Sequence, residues 1–388
     1  MEHIYLDNAA TTPIAPEVVQ TMMDQMTNDF GNASSTHFFG RQAHTVLDNS
    51  RHTLAQSIQA KDSEIIFTSG ATESNNTAIL QTAKKRANEG KRLITTAIEH
   101  HSVMKPMAYL ESQGFDVIYL PVNEQGVIDL ADLKAALTPE TILVSIMMGN
   151  NEVGSHMPIH EIGQMVHASN AWFHTDATQT YGLLDIDVKA DYIDFLSVSA
   201  HKINGPKQIG FLYVNDAIHL PSFILGGEQE KKRRAGTENI PAVAGFAKAV
   251  ELLTPAVKVQ HQAQYAAFKQ QILNTLAANQ IAFEVNGGVA DDQVQHVLNL
   301  WIKGVSTYVL QMNLDLAGFA ISGGSACTAG DLEPSHVLIA MYGENSPRVA
   351  ESIRISFGRD TTADQLAAFC ATLTKIVTKN LAKQHAQD

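Results

Sequence analysis

The sequence predicts an α/β fold, with a large domain on a mostly parallel, seven-stranded sheet between helices and a smaller α+β domain after it. Three observations predict it. Between residues 60 and 215, short Val/Ile/Leu-rich runs alternate with helical patterns, and those runs are apolar at successive positions rather than at every second one. Strands of that kind are covered on both faces, as in a parallel sheet flanked by helices. After Pro241 the texture changes to longer helical stretches with a few short strands. The composition, 45% hydrophobic and 17% charged over 388 residues, allows a large core and excludes a wholly disordered chain.

The elements follow in order. Glu64 to Thr68 is an apolar run stopped by Ser69-Gly70, hence a strand, and Thr72 to Ala87 follows it as a helix. Arg92 to Thr96 is the second strand, with a helix from Ser102 to Gln113. Phe115 to Leu120, Ile142 to Met147, Ala171 to Thr175, Tyr192 to Ser197 and Gly210 to Val214 complete the seven. A helical stretch from Pro241 to about Asn279 is broken at Thr254-Pro255, because proline cannot continue a helix. The domain boundary falls there. Short strands at Ile281 to Val285, His296 to Trp301 and Ile353 to Phe357 build the smaller domain.

Charge and cysteine content narrow the function. Lys and Arg total 27 against 40 Asp and Glu, a net charge of −13, which argues against a protein that coats duplex DNA. The two cysteines, Cys327 and Cys370, are too few for a disulfide framework and fit a reducing, cytoplasmic compartment. The first residues carry no basic and apolar signal, and no apolar run approaches the ~18 residues of a membrane span. No cysteine cluster is present for zinc, and Pro158 interrupts the His156/His160 spacing, so no metal site is expected.

Four places stand out chemically. Lys202 follows an apolar strand and precedes Gly205-Pro206; a lysine buried there loses its charge more readily and can form a Schiff base with an aldehyde. The alternative is a surface lysine at a strand end. Asp176, in His174 to Gln179, ends another strand, where ligands bind in open α/β sheets; a carboxylate there can hold a pyridine nitrogen protonated, or simply cap a helix. Phe67 to Asn76 runs strand, glycine turn, then Thr72 at a helix start, which suits a phosphate and lacks the lysine of a Walker A loop. Cys327 sits among Gly, Ser, Ala and Thr in residues 323–330, where a thiol is not placed for packing, whereas Cys370 lies in an apolar helical pattern. His100-His101 at a further strand end can stack on a ring or move protons, and Arg354 inside an apolar strand needs a carboxylate partner, from a substrate or from the protein. Together these describe a site for a phosphorylated pyridine aldehyde, pyridoxal phosphate.

The sequence closely resembles the cysteine desulfurases of the NifS/IscS type, in the class V aminotransferase superfamily of fold-type I enzymes. The resemblance runs from Tyr5-Leu6-Asp7-Asn8-Ala9-Ala10-Thr11-Thr12-Pro13 to about Arg359. It is carried in order by Phe67 to Ser74, Asn150-Asn151-Glu152-Val153-Gly154, His174 to Gln179, Ser199-Ala200-His201-Lys202, Arg234 to Thr237 and Ser325-Ala326-Cys327-Thr328. It implies a large domain over 16–255 and a small one from 1–15 with 256–388. It also implies the site roles. Lys202 would hold the cofactor, Asp176 would pair with its ring nitrogen, Gln179 with its ring oxygen, and His100 would stack on the ring. Ala71, Thr72, Ser199 and His201 would hold the phosphate, with Thr237 reaching the phosphate of the other subunit of a homodimer. Asn151, which also borders the cofactor, and Arg354 would hold the carboxylate of L-cysteine. Cys327 would take the sulfur as a persulfide, leaving L-alanine, and pass it to an acceptor protein, either an iron-sulfur cluster scaffold or a tRNA-thiolation enzyme.

Gly323 replaces a common serine, and the tail after Lys383 is short, which brings the two acceptor classes level. A selenocysteine lyase or an aminotransferase of the same fold, and a cofactor-free sulfur-transfer scaffold, are the alternatives. The run Lys231-Lys232-Arg233-Arg234 is expected to be a solvated loop, or a docking patch for an acidic acceptor.

Overall fold

The computed structural model describes residues 3–290, 293–323, 327–328, 331–332 and 334–385. The central sheet has seven strands: β1 (Ile65–Thr68), β2 (Arg92–Thr96), β3 (Asp116–Leu120), β4 (Thr141–Ser145), β5 (Trp172–Asp176), β6 (Phe195–Ser199) and β7 (Gly210–Val214). Their spatial order is β1-β7-β6-β5-β4-β2-β3. The contacts β3–β2, β2–β4, β4–β5 and β5–β6 are parallel, while β7 runs antiparallel to both its neighbours.

Successive residues of these strands pack into different cores. Ile94, Val144, Leu196 and Phe211 join one cluster, whereas Leu93, Leu143, Phe195 and Leu212 join another. Both faces are therefore covered, as the unalternating apolar runs require. One face is closed by the helices Ala71–Arg86 and His101–Ser112, through Ala78, Ile79, Val103 and Met107. The other is closed by helices that include Phe38–Gln56, Ile159–His167 and Ile240–Glu251, through Leu47, Leu54, Ile162, Val243 and Phe246.

A third core gathers Leu6 with residues from Tyr265 to Val377. It packs helices Pro255–Ala278, Thr307–Leu316 and Ala363–His385 on a three-stranded antiparallel sheet. The strand order is Ser352–Ser356, Val297–Ile302, Phe283–Asn286. Cys370 is 2% exposed within this core, the packing role its helical pattern implied. The break at Thr254-Pro255 is real: Thr254 caps the new helix and Pro255 opens it. The strand placed at Tyr192 to Ser197 starts three residues later, at Phe195, because Tyr192 has φ 54° and lies in a turn. Among the described residues no single helix is long and apolar enough to cross a membrane.

The chain's first residues tie the two parts together. Ile4–Tyr5 pairs in parallel with Phe319–Ala320, and Asp7 bridges to Ser356. The next residues run over the ends of β5 and β6. Thr12 Oγ1 donates to the His201 carbonyl at 2.9 Å, and the Asn204 amide donates to Thr12 Oγ1 at 2.8 Å.

Candidate active site

Parallel strands deliver their carboxyl ends to one edge of the sheet, and the chain leaves that edge in loops that carry polar groups. Here those loops follow β1, β2, β4, β5 and β6. They bring Thr72, His100, Asn151, Asp176 and Lys202 to a common edge.

After β1, Gly70 turns the chain at φ 142°, and the helix begins at Ala71. A side chain on Gly210 would lie 2.2 Å from the Val198 carbonyl oxygen and 2.7 Å from Gly70 Cα, so only glycine lets β7 approach this turn. Ser199 Oγ stands 3.4 Å from where a Gly70 Cβ would be. The helix N-terminus and the Ser199 hydroxyl thus share one small space that favours an anion. His201 contacts Thr11 Oγ1 through Nδ1 at 3.1 Å, and burial with the charges of Lys202 and Lys207 pushes it down to about 4.

Asp176 ends β5 and is 5% exposed. Asn75 Nδ2 donates to its Oδ2 at 2.7 Å and the Thr178 amide to its Oδ1 at 2.9 Å, which fixes the carboxylate plane. Just below, buried His174 sits between Ser145 Oγ at 2.7 Å and Ser197 Oγ at 2.9 Å; burial pushes it down to about 4, against the pull of Asp176. It is therefore a neutral strut at neutral pH. Gln179, also buried, donates from Nε2 to the Ala9 carbonyl at 3.1 Å.

Lys202 leaves β6 in a short 3-10 turn. Its amine donates to the carbonyls of Ala9 at 2.6 Å and Ala10 at 2.8 Å. Burial, followed by the Arg354 charge, pushes it down to about 8, while Asp7 and Asp176 act in the opposite direction. His100 caps its helix, its Nδ1 accepting the Ser102 amide at 3.1 Å and meeting Ser102 Oγ at 2.7 Å. Burial lowers its proton affinity; Asp176 raises it and Lys202 lowers it, so the three groups share one electrostatic environment. A cavity of about 460 Å³ opens beside it, lined in part by Thr72, Asn76, His101 and Tyr109.

Arg354, in the middle of its strand, has both a protein partner and a spare donor. Nη2 pairs with Asp7 Oδ1 at 2.7 Å and Nη1 donates to the Asn151 carbonyl at 2.9 Å. Its Nε is buried with no hydrogen-bond partner among the described residues. Asn151 meets it through backbone.

Thr237 is exposed and lies apart, beside Ser69, Arg234 and Asn239. Of Cys327 the structure gives backbone alone: Cys327–Thr328 pairs antiparallel with Asp331–Leu332. Its side chain, and Ser325, Ala326, Ala329, Gly330 and Glu333, lie outside the described residues. At Gly323 a Cβ would sit 2.7 Å from Thr307 Cγ2, so a serine there would have to displace a neighbour.

The basic run corrects the expectation of four solvated charges. Lys231 and Lys232 are exposed, but Arg233 donates to the carbonyls of Ser63 and Ile65, at 2.7 and 3.2 Å. Arg234 grips Glu73 at 2.9 and 3.2 Å, in the first turn of the helix that opens at Ala71. The loop is anchored below by Glu230, which forms a buried two-point pair with Arg51 at 2.6 and 2.7 Å.

Several groups went unread in the sequence. Asn75, which holds Asp176, lies between Phe67 and Asn76, and nothing local in the sequence announces that contact. Glu99 is fully buried and pushed up to about 8; it accepts from Thr96 Oγ1 at 2.8 Å and the Met147 amide at 2.9 Å. Glu152, pushed up to about 7 by burial, accepts from Ser335 Oγ at 2.5 Å. Asp7 was quoted for its motif, and only the fold shows it on Arg354.

Residues 4–369 match the family described as Aminotransferase class-V. The chain is 48% identical over 377 residues to the "Putative cysteine desulfurase IscS 1" of Bacillus subtilis (strain 168), covering 97% of this chain and 99% of that one. Among solved structures it is similar to a "NIFS-LIKE PROTEIN", with a TM-score of 0.90 and 30% identity over 97% of this chain and 99% of the other. It is also similar to one described as "SspA in complex with cysteine", with a TM-score of 0.80 and 37% identity over 91% and 98% of the two chains.

Proposed function

The chain belongs to the class V aminotransferase family, as a cysteine desulfurase of the NifS/IscS type, and on that premise we propose how its residues divide the work. Pyridoxal phosphate is the cofactor that the family implies, and the donor set fits it. One edge of the sheet offers a helix N-terminus beside a serine hydroxyl, a buried and doubly hydrogen-bonded carboxylate, and an amine of depressed proton affinity. The last of these, the Lys202 amine at the end of β6, held by the Ala9 and Ala10 carbonyls with no carboxylate among its hydrogen-bond partners, carries the reading.

When bound, the cofactor supplies an aldehyde for amines and a ring that accepts electrons. Ala71, Thr72, Ser199 and His201 would hold its phosphate, Lys202 would be its point of attachment, Gln179 would donate to its ring oxygen, and His100 would stack on it. Asp176 would favour a proton on the ring nitrogen by charge. L-Cysteine enters with its carboxylate toward the spare Nε of Arg354 and toward Asn151. The Lys202 amine, partly neutral at neutral pH, takes the proton from Cα. His100 exchanges protons with the thiols. The Cys327 thiolate would attack the substrate sulfur; a sulfur–sulfur bond forms as the carbon–sulfur bond breaks with its electron pair going to Cβ, which takes a proton, and the proton held by Lys202 returns to Cα so that L-alanine leaves.

The finer readings are part of the same proposal. Residues 16–255 form the large unit, and 1–15 with 256–388 the small one. Thr237, which is exposed, completes the phosphate site of a second copy in a homodimer. The persulfide goes to a cluster scaffold or a tRNA-thiolation enzyme in the cytoplasm, with no DNA and no membrane involved.

Cys327→Ala tests the central step. Cysteine should still perturb the cofactor's visible band, while alanine release and persulfide nearly vanish. Wild-type protein given cysteine and then alkylated should carry extra sulfur on the Cys327 peptide. Alanine formation from cysteine at the wild-type rate in Cys327→Ala would refute the mechanism.

A further inference from the structure

Behind Gln179, away from Lys202, lies a buried Lys–His pair that the reaction does not use. His296 is 7% exposed and precedes the strand Val297–Ile302, its carbonyl held by the Phe357 amide at 2.9 Å. Its Nε2 is 2.9 Å from Gln179 Oε1. Its Nδ1 is buried with no hydrogen-bond partner among the described residues. Lys269, from the helix Pro255–Ala278, is 3% exposed, and its amine donates to the Val294 carbonyl at 3.4 Å. No carboxylate contributes to its electrostatics, and its charge acts on His296.

The proton on this histidine has two possible seats. Burial, reinforced by the charges of Lys269, Lys202 and Arg354, pushes His296 down to about 3, so the ring is neutral and carries one N–H. A proton on Nδ1 would point at no acceptor and sit on the side with the unpaired buried nitrogen, leaving a desolvated donor. Nε2 would then have to accept from the Gln179 amide group. That flip would turn the Gln179 oxygen against the Ala9 carbonyl, two acceptors facing each other. A proton on Nε2 removes every conflict. It donates to Gln179 Oε1, Gln179 Nε2 meets Ala9 O at 3.1 Å, and the unpartnered Nδ1 carries no stranded proton.

We propose that His296 is a positioning residue: with its proton on Nε2, it locks the Gln179 amide so that residue 179 presents only N–H donors to the cofactor side. The site side is identified by the Ala9 carbonyl, which accepts from both Gln179 Nε2 and Lys202 Nζ. One Gln179 N–H is spent on Ala9, and the second remains for a ring oxygen. The inference rests on the reading that Gln179 faces that oxygen.

The test uses the full chain labelled with ¹⁵N-histidine. His296→Gln identifies the His296 resonances among the 16 histidines by their loss. Cofactor-free wild-type protein should show an N–H at Nε2 and a lone pair at Nδ1. A proton on Nδ1 overturns the proposal. In the pyridoxal-phosphate-loaded protein, His296→Leu should shift the visible band and weaken cofactor binding roughly tenfold, the scale of one unsatisfied buried polar group. His296→Gln, which can still donate, should restore both, and a His296→Leu protein identical to wild type in band and affinity overturns the lock. Gln179→Leu separates the premise: if it leaves band and affinity unchanged, Gln179 does not face the ring oxygen, while the tautomer measurement still decides the His296–Gln179 arrangement.

Discussion

Lys202 gives a prediction whose size follows from the site. A lysine in water has a pKa of 10.5, and burial beside Arg354 pushes Lys202 down to about 8. At pH 7 about a tenth of Lys202 amines are then neutral, against roughly one in three thousand for an ordinary lysine. Attachment of an aldehyde requires the neutral amine. The rate at which cofactor-free protein takes up pyridoxal phosphate should therefore rise about ninetyfold between pH 6 and pH 9 and level off above, following the neutral fraction. Stopped-flow growth of the visible band measures it, with a simple alkylamine as the reference for the aldehyde's own titration. Asp7→Asn removes a charge that favours the protonated amine and leaves Arg354 unbalanced, so the midpoint should fall further. A rate still climbing tenfold per pH unit at pH 10 would refute the depressed amine. A midpoint that rises in Asp7→Asn would refute the assignment of its causes.

Three further outcomes are expected. Asp176→Asn keeps the shape but loses the charge and one of the two oxygens that accept from Asn75 and Thr178, so kcat should fall by on the order of 10²–10³; turnover near wild type would remove Asp176 from the ring nitrogen. Reversing Lys231 and Lys232, the exposed half of the basic run, should slow sulfur delivery to an acidic acceptor at low salt and leave alanine formation with a small thiol intact. Arg234→Ala should instead weaken cofactor binding, because it frees Glu73 at the phosphate turn.

Much of the sheet is legible because buried parallel strands lack alternation and several stop in a polar residue, as at Thr68, Thr96 and Asp176. The reversal of β7 was not stated from that pattern, since an apolar run carries no direction. Its signal was length: a parallel crossover needs a dozen or more residues, usually with a helix, and Ala200 to Ile209 is too short. Lys202, Asp176 and the Gly70–Thr72 turn were readable as strand-end chemistry. Asn75 and His296 were not, because their partners, Asp176 and Gln179, are 101 and 117 residues away in sequence. The basic run misled for a related reason. Exposure is the default for adjacent charges, and nothing local announces that Glu73 and the carbonyls of Ser63 and Ile65 will take the two arginines.

The stretch from Asp7 to Thr12 explains why an N-terminal motif belongs to a site built at a sheet edge. Asp7 holds Arg354 from the small sheet, Ala9 and Ala10 hold Lys202 from the large one, and Thr11 contacts His201. The Ala9 amide in turn donates to Ser356 Oγ at 2.9 Å, on the strand that carries Arg354. The contacts to Lys202 are made by backbone carbonyls, so no substitution at positions 9 or 10 deletes them; only the path of the chain can. That path is set by side chains at either end, Asp7 on one sheet and Thr12 on the other. The amine therefore has two acceptors before any aldehyde arrives and must leave at least one to react, which makes the placement of this segment, rather than the identity of its alanines, a determinant of how readily Lys202 is released.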